Sequence, residues 1–186
     1  MAHPVSPFRT QPPTDGLPEF YRGYVARVPT GDVVQTLERQ VHETVRVLSA
    51  IPTDREVHRY RPDAWSMREV VGHMTDTERV FQYRALSLAR MDPAPLPPMD
   101  QDRWVEASGA HHRPLASHLD EFQSVRRSTV LLLEGLEPEG WAARGVANEL
   151  PFAMAAIPWI LAGHELHHLE VLKTRYHAVP STDTSS

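Results

Sequence analysis

Four separate stretches of this chain place apolar residues three or four positions apart over several turns, a spacing that suits packed amphipathic helices and little else. The first begins near Thr30 to Asp32, which offer N-cap chemistry, and carries Val34, Leu37, Val41, Val45 and Leu48. It must stop before Ile51-Pro52, because the residue ahead of a proline is pushed out of the α region. The second is expected from Met67 to about Arg90, with Val70, Val71, Met74, Phe81, Ala85 and Leu88 inward. Ser66 and Glu69 form a capping-box pattern at its start. The third opens at Pro114, a favourable first helical residue, and keeps its period through Leu115, Leu119, Phe122, Val125, Thr129, Leu132 and Leu136. The fourth runs from Pro158 to Tyr176.

These elements predict an all-α four-helix bundle with a long, proline-rich connection between the second and third helices. That connection, MDPAPLPPMD at 91–100, leads into a short helix expected over Asp100 to Ser108. From 91 to about 113 it exceeds what an antiparallel hairpin needs, so it is expected to cross the bundle or cover one end. Residues 137–153 read as irregular, with a turn or short hairpin between Gly145 and Phe152. Residues 1–29 hold several of the 17 prolines together with Phe8, Leu17, Phe20, Tyr21 and Tyr24, and are expected to form an arm packed on the body. The bundle then occupies 30–177, and 178–186 is a flexible tail.

At 186 residues, one domain with a substantial core is expected. A net charge of −5 argues against a nucleic-acid surface, which needs a basic excess. The N-terminus lacks an apolar signal core, and no stretch approaches the roughly 20 apolar residues that span a bilayer. The expectation is a cytoplasmic protein with no membrane partner, a secreted one with its signal removed being the weaker reading. There are no cysteines, so a metal site here must use imidazole and carboxylate.

The fourth stretch carries the strongest chemical signal. Ile157, Leu161, His164, His168 and Val171 share one narrow sector, which puts two imidazoles one turn apart within an apolar stripe. The pair can reach one metal ion, and burying two unpaired imidazoles for no purpose is costly. The alternative is a core histidine bonded to a backbone carbonyl. His167 points to one side, as a flanking group. The string HELHH also satisfies H-E-x-x-H, with Glu165 as general base of a metallopeptidase. Against that, the downstream ligand positions hold Val171 and Thr174, so a third ligand must come from upstream. His73, near the core edge of the second helix and one turn before Asp76, is the best candidate; His58, His111, His112 and His118 remain open.

WSMREVVGHMTDTER (65–79) resembles the W-S-x-x-E-x-x-x-H helix start of the DinB/YfiT-like superfamily of metal-binding four-helix bundles. GHELHHLEVLKTRY (163–176) resembles its closing H-x-x-x-H helix, and LPPMDQDRWVE (96–106) is similar to a connection of that family. The likeness extends over about residues 30–177. It implies His73, His164 and His168 as metal ligands, in an open three-histidine site for zinc or nickel. It further implies either a hydrolase or a transferase using a low-molecular-weight thiol such as bacillithiol or mycothiol, acting on a small molecule. Glu165, Asp76 and Glu78 are the candidates for proton transfer or ligand support, a solvated helix charge being the alternative for each and the preferred reading of Glu78. Arg84 or Arg90 could meet an anionic cosubstrate, but arginines are too frequent to assign one. A non-catalytic metal-binding or stress-related scaffold is the alternative reading. Trp159, Ala162, Leu166 and Leu169 form a second apolar strip on the closing helix; the resemblance implies a homodimer, and the strip is expected to be its interface, cover by the arm being the alternative.

Overall fold

The computed structural model describes residues 6–177, so the expected 178–186 tail and the first five residues lie outside the described residues. It is a four-helix bundle with smaller elements. In chain order these are α1 (Glu19–Val25), α2 (Val33–Leu48), α3 (Met67–Ala89), α4 (Gln101–Ser108), α5 (Leu115–Glu134), α6 (Pro138–Ala142) and α7 (Ile157–Thr174). The hairpin expected near Gly145 is present as β1 (Arg144–Ala147) paired antiparallel with β2 (Leu150–Ala153). Asn148 and Glu149, both at positive φ, make its tight turn, as the twist of a two-residue hairpin requires.

Local chemistry sets the helix starts. The Asp32 side chain accepts from the backbone N–H groups of Val34 and Gln35. At α3, Ser66 and Glu69 form the reciprocal capping box. Pro114 cannot cap α5 with a side chain, and the carboxylate of Glu56 accepts from Leu115 N instead, at 3.0 Å.

The arrangement of the four long helices is a product of tertiary packing. α2 lies against α5 and α7, and α3 against the same two, so the order around the bundle is α2, α5, α3, α7. Consecutive helices α2 and α3 therefore stand on a diagonal. α3 and α5 are neighbours, so the segment between them does not cross the bundle. It runs along the outside, where Leu96 N donates to Val146 O and Asn148 N to Leu96 O, and α4 packs on α3.

Two buried clusters fill the interior, one around Leu37, Phe81, Trp141 and Ile157, the other around Leu48, Met74, Phe122 and Leu172. The inner face of α5 differs from expectation. Val125, Leu132 and Leu136 are only half-buried, while Arg126 and Leu133 are fully enclosed.

The N-terminal arm packs across α7. The indole of Trp159 is buried and donates to Phe8 O at 3.1 Å, and Ala162 is fully buried, whereas Leu166 is half-buried. The closest approach is at Gly163, where a Cβ would fall inside the Tyr24 backbone carbonyl. Only hydrogen fits there. Gly163→Ala is expected to cost about 1–3 kcal/mol, the range for overpacking a tight contact, by forcing α1 away from α7. A thermal melt unchanged from wild type would show that the arm is not held at this distance.

Candidate metal centre

His73 sits on α3, and His164 and His168 on the adjacent α7. Nε2 of His164 lies 3.1 Å from Nε2 of His73 and 3.0 Å from Nε2 of His168. One ligand atom from each of the three residues falls within 4.8 Å of the others. A neutral imidazole has one N–H and one lone pair. Nε2 of His164 can therefore satisfy at most one of its two neighbours by hydrogen bonding. A single cation accepting all three lone pairs satisfies the three converging nitrogens. Nitrogens about 2.0–2.1 Å from one tetrahedral ion stand roughly 3.3 Å apart, close to the observed spacing. The donor set fits a divalent metal.

Electrostatics keeps these nitrogens available. Burial lowers the pKa of His73 to about 4. Burial also holds His164 and His168 well below the usual imidazole range, and each is further lowered by its histidine neighbours. All three are neutral near pH 7, the state a metal ligand requires. Aromatic rings wall the cluster: Trp65 stands 4.8 Å from His73, and Tyr24 meets His164 edge-on at 5.4 Å.

The other expected participants have different places. Glu165 faces about 100° away from His164 around the helix. One of its oxygens accepts from Thr44 Oγ1 at 2.7 Å and the other from Arg126 Nη1 at 2.7 Å, so it is engaged between α2 and α5. Burial raises its pKa, opposed by Arg126 and Thr44. Asp76 forms an ion pair with Arg79 at 3.6 Å, and Nδ1 of His73, which it was expected to orient, has no partner among the described residues. Glu78, read as a solvated charge, is buried and holds Arg126 with both oxygens, at 2.8 and 2.9 Å. Of the alternative ligands, His118 is buried but bonds Ala110 O through Nε2, and Nδ1 of His111 faces Ser66 Oγ.

Arg126 is the residue that the apolar pattern missed. A signal existed: it follows Phe122 and precedes Val130 by one turn, on the inner face of α5. Two cavities flank the histidines. One of about 240 Å³ is lined by Trp65, His167, His168 and Arg175. The other, of about 110 Å³, is lined by His73 and His164, with Tyr21 and Tyr24 from the arm. The three nitrogens thus border space that a small molecule can enter.

A solved structure shares the architecture. YfiT from Bacillus subtilis, a four-helix bundle of unusual topology for which metal-dependent hydrolysis has been proposed, superposes with a TM-score of 0.69 at 15% identity. The match covers 89% of this chain and 96% of that one, a likeness of fold. A protein of Oceanobacillus iheyensis whose name proposes a metal-dependent hydrolase is 27% identical over 145 residues, 75% of this chain and 79% of its own. The sequence profile of the DinB superfamily matches residues 36–172, most of the chain and all four long helices except the extreme ends of α2 and α7. The chain belongs to the DinB superfamily.

Proposed function

We propose that this protein is a metal-dependent hydrolase of small molecules, with zinc or nickel held by His73, His164 and His168. The observation that carries this reading is the convergence of three neutral imidazole nitrogens at the wall of two cavities. The names of the relatives in Oceanobacillus and Bacillus point the same way. Three protein ligands leave coordination positions open, the pattern of catalytic rather than structural sites. A divalent ion held there supplies Lewis acidity that polarises a carbonyl and acidifies water or a thiol.

The chain's own residues do the rest. α3 and α7 fix the ligand nitrogens, because His73 and His164 are held in packed helices rather than loops. Trp65 and Tyr24 limit water around the rings and raise the strength of local electrostatic interactions. Glu165 and Asp76, engaged with Arg126 and Arg79, support the scaffold rather than the reacting bond.

The second reading, transfer of a low-molecular-weight thiol, is favoured by one feature: the cavities lie against different histidines, room for two separate reactants. The deciding experiment assays short-chain nitrophenyl esters and anilides, with and without an added thiol, using protein loaded with zinc or nickel or stripped by chelator. Metal-dependent hydrolysis without thiol is the expected result. Turnover that needs the thiol would establish the second reading, and no metal-dependent turnover of either kind would overturn both.

A further inference from the structure

Among the described residues two guanidinium groups are buried almost completely, and they are treated differently. Arg126 is paired with two carboxylates, Glu78 and Glu165. Arg84 is 3% exposed, and among the described residues no carboxylate pairs with it. Its Nη2 donates to Pro97 O at 2.8 Å and its guanidinium carbon lies 4.9 Å from the Phe81 ring centre, but the buried Nε–H has no acceptor. A buried cation without an anion is strongly unfavourable, unless an anion completes it.

Arg84 lines the 110 Å³ cavity that His73 and His164 also line. Thr77 lies there too, 5% exposed, and its hydroxyl is a second buried polar group with no partner. His73, Thr77 and Arg84 fall on one face of α3, since steps of four and seven residues return to nearly the same direction. Helical side chains lean towards the N-terminus, which is how the Arg84 guanidinium comes to lie over Phe81, on the Thr77 side. A second cavity that Arg84 borders, of about 260 Å³, is walled mostly by Leu96, Pro97, Pro98 and Met99, with Arg79, Tyr83 and Trp104 as its other donor-bearing residues, and does not reach the histidines.

We propose that Arg84 and Thr77 form the carboxylate-binding end of a substrate pocket whose other end is the histidine cluster, so that the protein acts on small carboxylic acids. Two unpartnered donors at one cavity wall, an N–H of Arg84 and the O–H of Thr77, offer a carboxylate one partner for each oxygen; a phosphate would leave oxygens bare in so small a space. The walls supplied by Tyr21, Tyr24, Phe81 and Ile160 favour a short apolar or aromatic body between the two ends. The proposal rests on the hydrolase reading only for which end reacts, the anion site itself standing on Arg84 and Thr77.

The test is calorimetric titration of the full chain with acetate, butyrate, benzoate and phenylacetate, each beside its neutral amide. It is run on zinc-loaded and on chelator-treated protein, so that a carboxylate landing on the metal is told from one held by Arg84. At least one acid is expected to bind ten times more tightly than its amide in both forms. Arg84→Gln is expected to abolish that preference with metal content unchanged, and Thr77→Val to reduce it about threefold. If circular dichroism shows that Arg84→Gln does not fold, Thr77→Val, which keeps the side-chain volume, decides. No acid preferred over its amide, or an unchanged preference in the deciding variant, overturns the proposal. Acid preference in a protein without metal-dependent turnover would leave this site standing and remove the hydrolase reading. Metal-dependent turnover with no acid preference would do the reverse.

Discussion

Replacing Arg126 by Met is expected to destabilise the fold by about 3–5 kcal/mol, the cost of breaking a buried ion pair by deleting one partner. Arg126 and Glu78 are each 1% exposed and Glu165 is 2% exposed, so water cannot compensate for a lost charge. Arg126 also donates to Leu37 O at 3.1 Å, which ties α5 to α2 as well as to α3 and α7. Removing it leaves two carboxylates facing one another in the centre of the bundle. For a chain of this size the loss corresponds to a fall in Tm of about 6–20 °C. The pH dependence has a definite sign. Without the arginine, burial and repulsion from Glu78 raise the Glu165 carboxyl pKa in the folded state further above its unfolded value. The folded protein then binds protons that the unfolded chain does not, so the deficit shrinks as pH falls from neutral towards about 5. Adding Glu78→Gln and Glu165→Gln to Arg126→Met is expected to recover much of the loss, because the uncompensated charges are gone. Melts of the single and triple variants across pH check this, and a single variant within about 1 kcal/mol of wild type would show that the network does not hold the helices together.

Replacing His164 by Ala is expected to remove the metal. His164 is the one ligand whose nitrogen stands about 3 Å from both others, so its loss leaves two imidazoles with no centre between them. Outer partners of metal ligands already contribute about 10–100-fold in affinity, and loss of a ligand is expected to exceed that. Elemental analysis after dialysis should fall from about one equivalent to near zero, and hydrolysis should fall with it. Stabilisation by metal should vanish too, an effect of about 4 kcal/mol at a thousandfold excess over Kd. His167→Ala is the control. Its ring lies tilted against Tyr24 and edge-on to His168 but outside the cluster, so metal content is expected to be retained. Equal metal content in His164→Ala and wild type would refute the assignment of this centre.

The neighbouring residues Val125 and Arg126 show where reading the chain stops. An apolar pattern selects Val125 for the inner face of α5, because a charged residue is assumed to seek water. That assumption fails when partners on two other helices supply opposite charges, and neither Glu78 nor Glu165 marks itself as such a partner. Glu165 misleads in the same way. Beside His164 in H-E-x-x-H it looks like a general base, but one residue of helix turns it about 100° away, towards Thr44 and Arg126.

The chain by itself determined the four helices, the caps of α2 and α3 and the pairing of His164 with His168, since each rests on interactions within a few residues along one helix. His73 is the best upstream candidate by its place on the second helix, the resemblance implies the same residue, and the structure places it beside the pair. Only the tertiary structure decided that α2 and α3 stand on a diagonal, that the arm walls the histidines, and that Arg126 is neutralised while Arg84 is not. An amphipathic stripe fixes which face of a helix turns inward, but any other apolar face can cover it. Which helices meet, and so which charges find partners, depends on packing the whole chain at once.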